Sequence, residues 1–194
     1  MKIYNCIKDF KPVKNAVVTV GTFDGVHLGH QAIFNTMKEK AEAIDGETVV
    51  ITFYPHPRIV LGLDSENLKF INTQGKKINR LEESGIDHLI VVPFNKEFAG
   101  ISSKEFITEL VTEKIQPKVF VIGFDHHFGK DREGSFDLLS EIGKEKGFRV
   151  IKVEAQYIND VPVSSTKIRK LLNNGAVLVA NKFLGYEYSI TGYK

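Results

Sequence analysis

The sequence predicts an α/β domain in which helices flank a parallel sheet, and three observations lead there. Short runs rich in Val, Ile and Phe recur at 16–20, 48–53, 88–93, 118–122 and 149–153. Such runs suit parallel strands buried on both faces. Longer amphipathic segments separate them, and this alternation builds strand–helix units around a parallel sheet. A glycine-rich loop carrying two histidines stands at the first strand–helix junction, at the carboxyl end of a strand, where ligands collect in sheets of this kind.

Each helix rests on its own signals. Across 28–44, Ile33, Met37, Ala41 and Ile44 fall at spacings of four, four and three, which places them on one helix face. The segment 103–115 opens with Ser102, Ser103 and Glu105 and sets Phe106, Ile107, Leu110 and Val111 on a stripe. Further helices are expected at 135–146 and 165–172. The last stretch, 175–194, holds a short helical pattern through Leu184, then Gly185, then the strand-like Tyr188-Ser189-Ile190-Thr191. That strand has no later partner and reads as the entry to a structure outside this sequence. No internal repeat or low-complexity segment interrupts the pattern.

Composition narrows the function classes. A length of 194 residues fits one well-buried domain, with room for a short appendage. The chain is 42% hydrophobic and 26% charged, as ordinary globular proteins are. A net charge of +2 gives no argument for a nucleic-acid or membrane partner. The single cysteine, Cys6, excludes an intrachain disulfide and a cysteine-rich zinc site. No apolar run approaches the roughly 20 residues of a membrane span, and the first ten residues lack the apolar stretch of a secretory signal. A cytoplasmic location is expected.

The strongest chemical signal is Val20-Gly21-Thr22-Phe23-Asp24-Gly25-Val26-His27-Leu28-Gly29-His30. Its glycines let backbone approach a ligand closely. The helix that follows offers unpaired N–H groups and a positive dipole end, which suit phosphate. His27 and His30, three apart, can face one site and donate hydrogen bonds to phosphate oxygens as charge develops. The spacing is neither the dinucleotide fingerprint nor a Walker sequence. Two plainer readings stand beside this one. The histidines could bind zinc with His126 and His127, although no acidic partner of a zinc helix accompanies them. Alternatively, the glycines could be merely structural, which would leave the histidines without a purpose.

The second signal is Val163-Ser164-Ser165-Thr166-Lys167-Ile168-Arg169. Three hydroxyls before an amphipathic helix ordinarily mean helix caps. Yet Ser165, Thr166 and Arg169 fall on one side of the first turn and can offer hydroxyl and guanidinium donors to a polyphosphate.

The His-x-Gly-His arrangement after a strand resembles the nucleotidylyltransferase superfamily, whose domain is Rossmann-like. Three further segments sharpen the likeness: Thr52-Phe53-Tyr54-Pro55-His56-Pro57, Phe94-Asn95-Lys96-Glu97-Phe98-Ala99, and Gly123-Phe124-Asp125-His126-His127-Phe128-Gly129-Lys130. In this order the chain resembles, over roughly residues 10–185, the adenylyltransferase domain of the bacterial bifunctional riboflavin kinase/FAD synthetase. The resemblance implies transfer of AMP from ATP to FMN, giving FAD and pyrophosphate, with Mg²⁺ accompanying ATP and no protein metal ligand. It places His27, His30, Ser165, Thr166 and Arg169 at the reacting phosphates. Gly21, Thr22, Phe23, Asp24, Gly29, Gly123, Asp125 and Ser164 would bind ATP. Pro55, His56, Pro57 and Phe128 would form the flavin side, where a large flat ring wants apolar and aromatic walls.

Alternatives stay open. Pro55 and Pro57 can simply stiffen a loop, and Phe128 can be core. His127 stands where the family carries arginine, and residues 72–80 depart from the family pattern. The family's kinase domain would begin about where 188–194 stops, and its Pro-Thr-Ala-Asn motif is not among these residues. The expected organisation is therefore an adenylyltransferase domain at 1–185 and the start of a linker or further domain at 186–194. Under that organisation no riboflavin phosphorylation is expected. The chain would be one domain of a longer protein or a naturally short product, and the unpaired last strand favours the former. The rivals are another transferase on the same fold and a nucleotide- or flavin-binding module without catalysis. Oligomeric state is left open by the sequence.

Overall fold

Six strands form one sheet in the order β1-β4-β3-β2-β5-β6, and every neighbouring pair is parallel. They are β1 (Lys2–Tyr4), β2 (Val17–Val20), β3 (Thr48–Tyr54), β4 (His88–Pro93), β5 (Val119–Gly123) and β6 (Arg149–Val153). The computed structural model describes residues 1–63, 69–124, 128–129 and 133–190. Five of the strands match the sequence expectation to within a residue at either end. The sixth, β1, is a short edge strand whose three residues give too little pattern to read.

Alternation along the central strands sorts the core onto two faces. Val18, Val20, Val49, Ile51, Ile90, Val92, Phe120 and Ile122 face one way. They pack against the helical run of α5 (Ser103–Glu105), a π-helical stretch (Phe106–Thr112) and α6 (Glu113–Ile115), and against α7 (Phe136–Lys146). Val17, Val50, Leu89, Val119 and Val121 face the other way, onto α1 (Leu28–Ala43) and α3 (Gln74–Glu83). On α1 the buried residues are Ile33, Phe34, Met37 and Ala41, so the apolar face lies where its periodicity put it. Fully burying a side chain such as Phe34, 0% exposed, stabilises the fold by about 2–3 kcal/mol.

The expected stripe on 103–115 is likewise inward: Phe106, Ile107 and Val111 are buried. Its π-helical middle was not foreseen; there Thr112 donates its hydroxyl to the Ile107 carbonyl, five residues back, at 2.8 Å. Shorter elements complete the chain: α2 (Pro57–Val60), α4 (Lys96–Ala99), the hairpin β7 (Tyr157–Ile158) with β8 (Val161–Pro162), α8 (Ser165–Asn173) and α9 (Val177–Leu184). A third apolar cluster joins α8 and α9 to Ile71 through Ile168, Ala180, Phe183 and Leu184.

One expectation fails. Residues 188–190 form no strand; they run irregularly after α9, and Thr191 lies outside the described residues. The residues nearby serve tertiary contacts instead: the Tyr188 N–H donates to Asn181 Oδ1, and Lys76 Nζ donates to the Ser189 carbonyl.

Chain order reverses between β2 and β5, since β3 and β4 lie on one side of β2 while β5 and β6 lie on the other. A crevice opens at such a switch point, outside the carboxyl ends of the strands. The loop 21–27 leaves β2 at that place and feeds α1.

Candidate active site

Close packing shapes the loop after β2. The Gly21 N–H donates to the Ile51 carbonyl of β3, and a Cβ at Gly21 would sit 2.8 Å from the Phe23 ring. Gly25 has φ +85°, and a Cβ there would meet Ile71 at 2.8 Å, so both positions require glycine. Phe23, also at positive φ, turns its ring inward against Phe34 and His30. Above it the imidazoles of His27 and His30 stack with centroids 3.6 Å apart and planes 17° from parallel. The two histidines of the sequence motif thus share one face of the first turn of α1, whose cap is His27 itself. A Cβ at Gly29 would lie 3.2 Å from the His27 ring, so the small residue leaves room for it.

Asp24 is the hub. Its carboxylate is 4% exposed and accepts from the Ile71 N–H at 3.0 Å and the Asn72 N–H at 3.4 Å. Arg169 of α8 donates to it at 2.7 Å. The Asp24 carbonyl accepts from the Ser165 hydroxyl at 2.9 Å. Burial pushes the Asp24 carboxyl above the ordinary carboxylate range, against the pull of Arg169 and the two N–H groups. The two sequence motifs, 141 to 145 residues apart, therefore meet at one residue.

Within the second motif the roles divide. Ser164 is a helix cap, its hydroxyl accepting from the Lys167 N–H at 3.3 Å, as the plainer reading expected. Ser165 binds the loop, and Arg169 also reaches the Thr166 hydroxyl at 3.4 Å. Thr166 is exposed at the start of α8, beside the guanidinium.

On the opposite side, β3 ends in a cis Tyr54–Pro55 bond, followed by His56 capping α2 through the Arg58 N–H at 3.2 Å. Phe70 lies 4.9 Å from the His56 ring. Burial first, then the charges of Lys77, Arg169 and Arg58, lower the His56 pKa to about 4, so the ring is neutral at pH 7. Tyr54, Ile59, Leu61 and Leu63 are exposed apolar residues along this same segment. Phe128 is buried against Phe106 and belongs to the main core. Gly123 ends β5 with Ile33 beneath it. Asp125, with His126 and His127, lies outside the described residues.

Three residues escaped the sequence reading. Lys77, 7% exposed, donates from its ammonium to the Thr22 carbonyl and the Thr52 hydroxyl, each at 3.2 Å. Tyr186 donates its hydroxyl to the Gly25 carbonyl at 2.7 Å and to Asn72 Oδ1 at 3.1 Å. Its ring lies under the Arg80 guanidinium at 3.8 Å. Asn72 thus contacts both Asp24 and Tyr186. Thr73 caps α3 by accepting from the Lys76 N–H, and that cap followed by Ile78 and Leu81 was a signal that could have revealed the helix. Nothing in the sequence marks Lys77 as buried. Among the described residues no group of three or more His, Cys, Asp or Glu could hold a metal ion.

A parallel sheet with a histidine-bearing loop at its switch point is the architecture of nucleotidyltransferase-like Rossmann-type domains. A crystal structure described as a macrolide-efflux protein from Streptococcus pneumoniae superposes with TM-score 0.81 at 29% identity, covering 96% of this chain and 60% of that one. A pantoate–β-alanine ligase from Francisella tularensis superposes with TM-score 0.59 at 17% identity, covering 95% and 78%, a likeness of fold.

The chain belongs to the FAD synthetase family, whose model matches residues 10–167. Bifunctional riboflavin kinase/FMN adenylyltransferase of Buchnera aphidicola subsp. Acyrthosiphon pisum is 36% identical over 193 residues, 99% of this chain and 61% of that protein. The protein of the same name from Bacillus subtilis is 40% identical over 179 residues, 91% of this chain and 55% of that one. The chain spans about three fifths of the length of these curated relatives.

Proposed function

We propose that this chain is an FMN adenylyltransferase: an oxygen of the FMN phosphate attacks the α-phosphorus of ATP, the bond to the β-phosphate oxygen breaks, and pyrophosphate leaves. The observation that carries the reading is the meeting of the two phosphate motifs at Asp24, through Arg169 at 2.7 Å and Ser165 at 2.9 Å. In this reading one crevice takes in the stacked His27 and His30, the Arg169 and Thr166 donors of α8 and the close backbone turn. The nucleophile is already an anion and needs no protein base. Catalysis then rests on placement and on stabilising charge at the α-phosphate.

In this reading His27 and His30 face the ATP phosphates, and Thr166 and Arg169 hold them from α8. Ser164 and Ser165 fix that helix against the loop formed by Gly21, Thr22, Phe23, Asp24 and Gly29. Gly123 and Asp125 lie toward the adenosine. Pro55, His56 and Pro57 form the flavin side, with Phe128 supporting it from the core. Mg²⁺ comes with ATP, held by phosphates and water. The adenylyltransferase unit extends through Gly185, where α9 ends. The names of its relatives support a longer protein that also carries riboflavin kinase, and the reading sets that protein in the cytoplasm, where ATP is at hand.

The test is incubation with ATP, Mg²⁺ and FMN, following FAD by chromatography, with a riboflavin-only control and a His30→Ala variant. FAD from FMN alone, largely lost in the variant, is the expected result. ATP binding without any FAD would overturn the reading in favour of a binding module.

A further inference from the structure

Lys77 reaches from α3 to the carboxyl ends of two neighbouring strands. One partner, the Thr22 carbonyl, lies in the loop assigned to ATP, and the other, the Thr52 hydroxyl, lies three residues before Pro55 on the side assigned to flavin. Thr52 itself donates to the Thr22 carbonyl at 3.3 Å, so these oxygens are already bridged without the lysine. A strut alone therefore needs no charge here, and burying an ammonium among neutral oxygens is costly.

Among the described residues the charges beside it do not balance. Asp24 is the carboxylate that faces Lys77 from the loop, and it already pairs with Arg169 at 2.7 Å. His56, on the segment after β3, feels the charges of Lys77, Arg169 of α8 and its neighbour Arg58. Among the described residues, Lys77 and Arg169 thus stand against the one carboxylate of Asp24, which leaves positive charge at the seam between the two half-sites. One N–H of the Lys77 ammonium has no hydrogen-bond partner among the described residues.

Resting on the adenylyltransferase reading, we propose that Lys77 is a further anion-binding residue, which receives the phosphate monoester of FMN where the flavin side meets the ATP loop. The free N–H donates to a phosphate oxygen, and the ammonium supplies the charge-assisted bond that tells FMN from riboflavin. Arg169 and the histidines remain with the ATP phosphates, so the two anions are held by separate cations. Burial lowers the Lys77 pKa to about 8, with Asp24 opposing, and the preference for FMN weakens as pH rises through that value.

The experiment measures dissociation constants for FMN, riboflavin and ATP by calorimetry, between pH 7 and 9.5, for the wild-type chain and for Lys77→Met. Expected are a tenfold or greater loss of FMN affinity in the variant at pH 7, riboflavin and ATP within about twofold, and a wild-type FMN-over-riboflavin preference that declines above about pH 8. An equal loss for FMN and riboflavin, or a loss confined to ATP, would overturn the proposal. Should Lys77→Met fail to fold, the wild-type pH titration decides alone: a preference flat from pH 7 to 9.5 overturns it. These readouts are binding constants, so they stand apart from the FAD-formation test, whose failure would remove the adenylyltransferase reading itself.

Discussion

Asp24 and Arg169, 145 residues apart in the chain, meet at 2.7 Å with side chains 5% and 14% exposed. The pair ties the loop after β2 to α8, and the same guanidinium reaches the Thr166 hydroxyl at 3.4 Å. Removing one member of a buried pair strands the other charge, which ordinarily costs 3–5 kcal/mol. Because Ile71 and Asn72 still donate to Asp24, we expect Arg169→Ala to lose about 2–3 kcal/mol of stability. Urea unfolding checks this. A loss below about 1 kcal/mol would mean that the pair is decorative.

The stacked histidines give a kinetic prediction. Loss of one donor to developing charge costs on the order of 3 kcal/mol, or a hundredfold in rate. His30→Ala should therefore lower kcat for FAD formation about a hundredfold while changing ATP affinity much less. Steady-state kinetics and calorimetry together separate the two effects. If affinity falls as far as kcat, His30 serves ground-state binding only.

His56 predicts an acid limb in stability. Its pKa is about 4 in the fold and 6.5 when exposed, so the unfolded chain takes up the proton first as pH falls. Stability contributed by the neutral ring is present above about pH 6.5 and is lost between 6.5 and 4. Allowing for a ring partly open to water, the loss is on the order of 1–2 kcal/mol. His56→Gln should flatten this part of the profile in denaturant melts at a series of pH values. An unchanged slope would show that the ring is well solvated.

Gly25 sits at φ +85° with Ile71 in the space of a Cβ. Gly25→Ala should destabilise by about 1–2 kcal/mol from backbone strain alone. Because the Ile71 N–H holds Asp24, the same change should also loosen the Arg169 pair. Denaturant melts of the single Gly25→Ala and Arg169→Ala variants and the double variant, closed as a cycle, would show coupling; simple additivity would place the two effects in separate parts of the site.

Lys77→Met predicts a gain. An apolar residue of similar length relieves a buried charge, and such replacements range from neutral to stabilising by 1–4 kcal/mol. We expect up to about 2 kcal/mol at pH 7. The margin should shrink between pH 8 and 10.5, where the unfolded wild-type chain keeps its proton and the folded one has shed it. Melts at pH 7 and 10 test this, and a destabilised variant at pH 7 would make Lys77 a structural strut.

The parallel sheet was legible because buried strands are continuous apolar runs, and α1 was legible because Ile33, Met37 and Ala41 repeat at helical spacing. The loop 21–30 and the turn that opens α8 stood out because glycines and histidines gather at a strand–helix junction and three hydroxyls precede a helix. Their union at Asp24 did not, since no local pattern records a contact made across 145 residues. Lys77 and Tyr186 were missed for the same reason: a lysine on a polar-looking helix and a tyrosine past Gly185 carry no mark of where they point. Residues 188–190 misled in the opposite sense. Their β-branched and aromatic content matches a strand, yet the backbone is committed to Asn181 and Lys76.

The Tyr186 hydroxyl on the Gly25 carbonyl spans 161 residues. The loop thus leaves the ribosome 141 to 161 residues ahead of its partners Ser165, Arg169 and Tyr186. Closing such long loops carries an entropy cost that local contacts do not share. A nascent chain can bring β2, β3 and β4 together well before α8 exists, but the loop after β2 then lacks its contacts to Ser165, Arg169 and Tyr186. The loop after β2 therefore reaches its final set of contacts only once α8 and Tyr186 have been made.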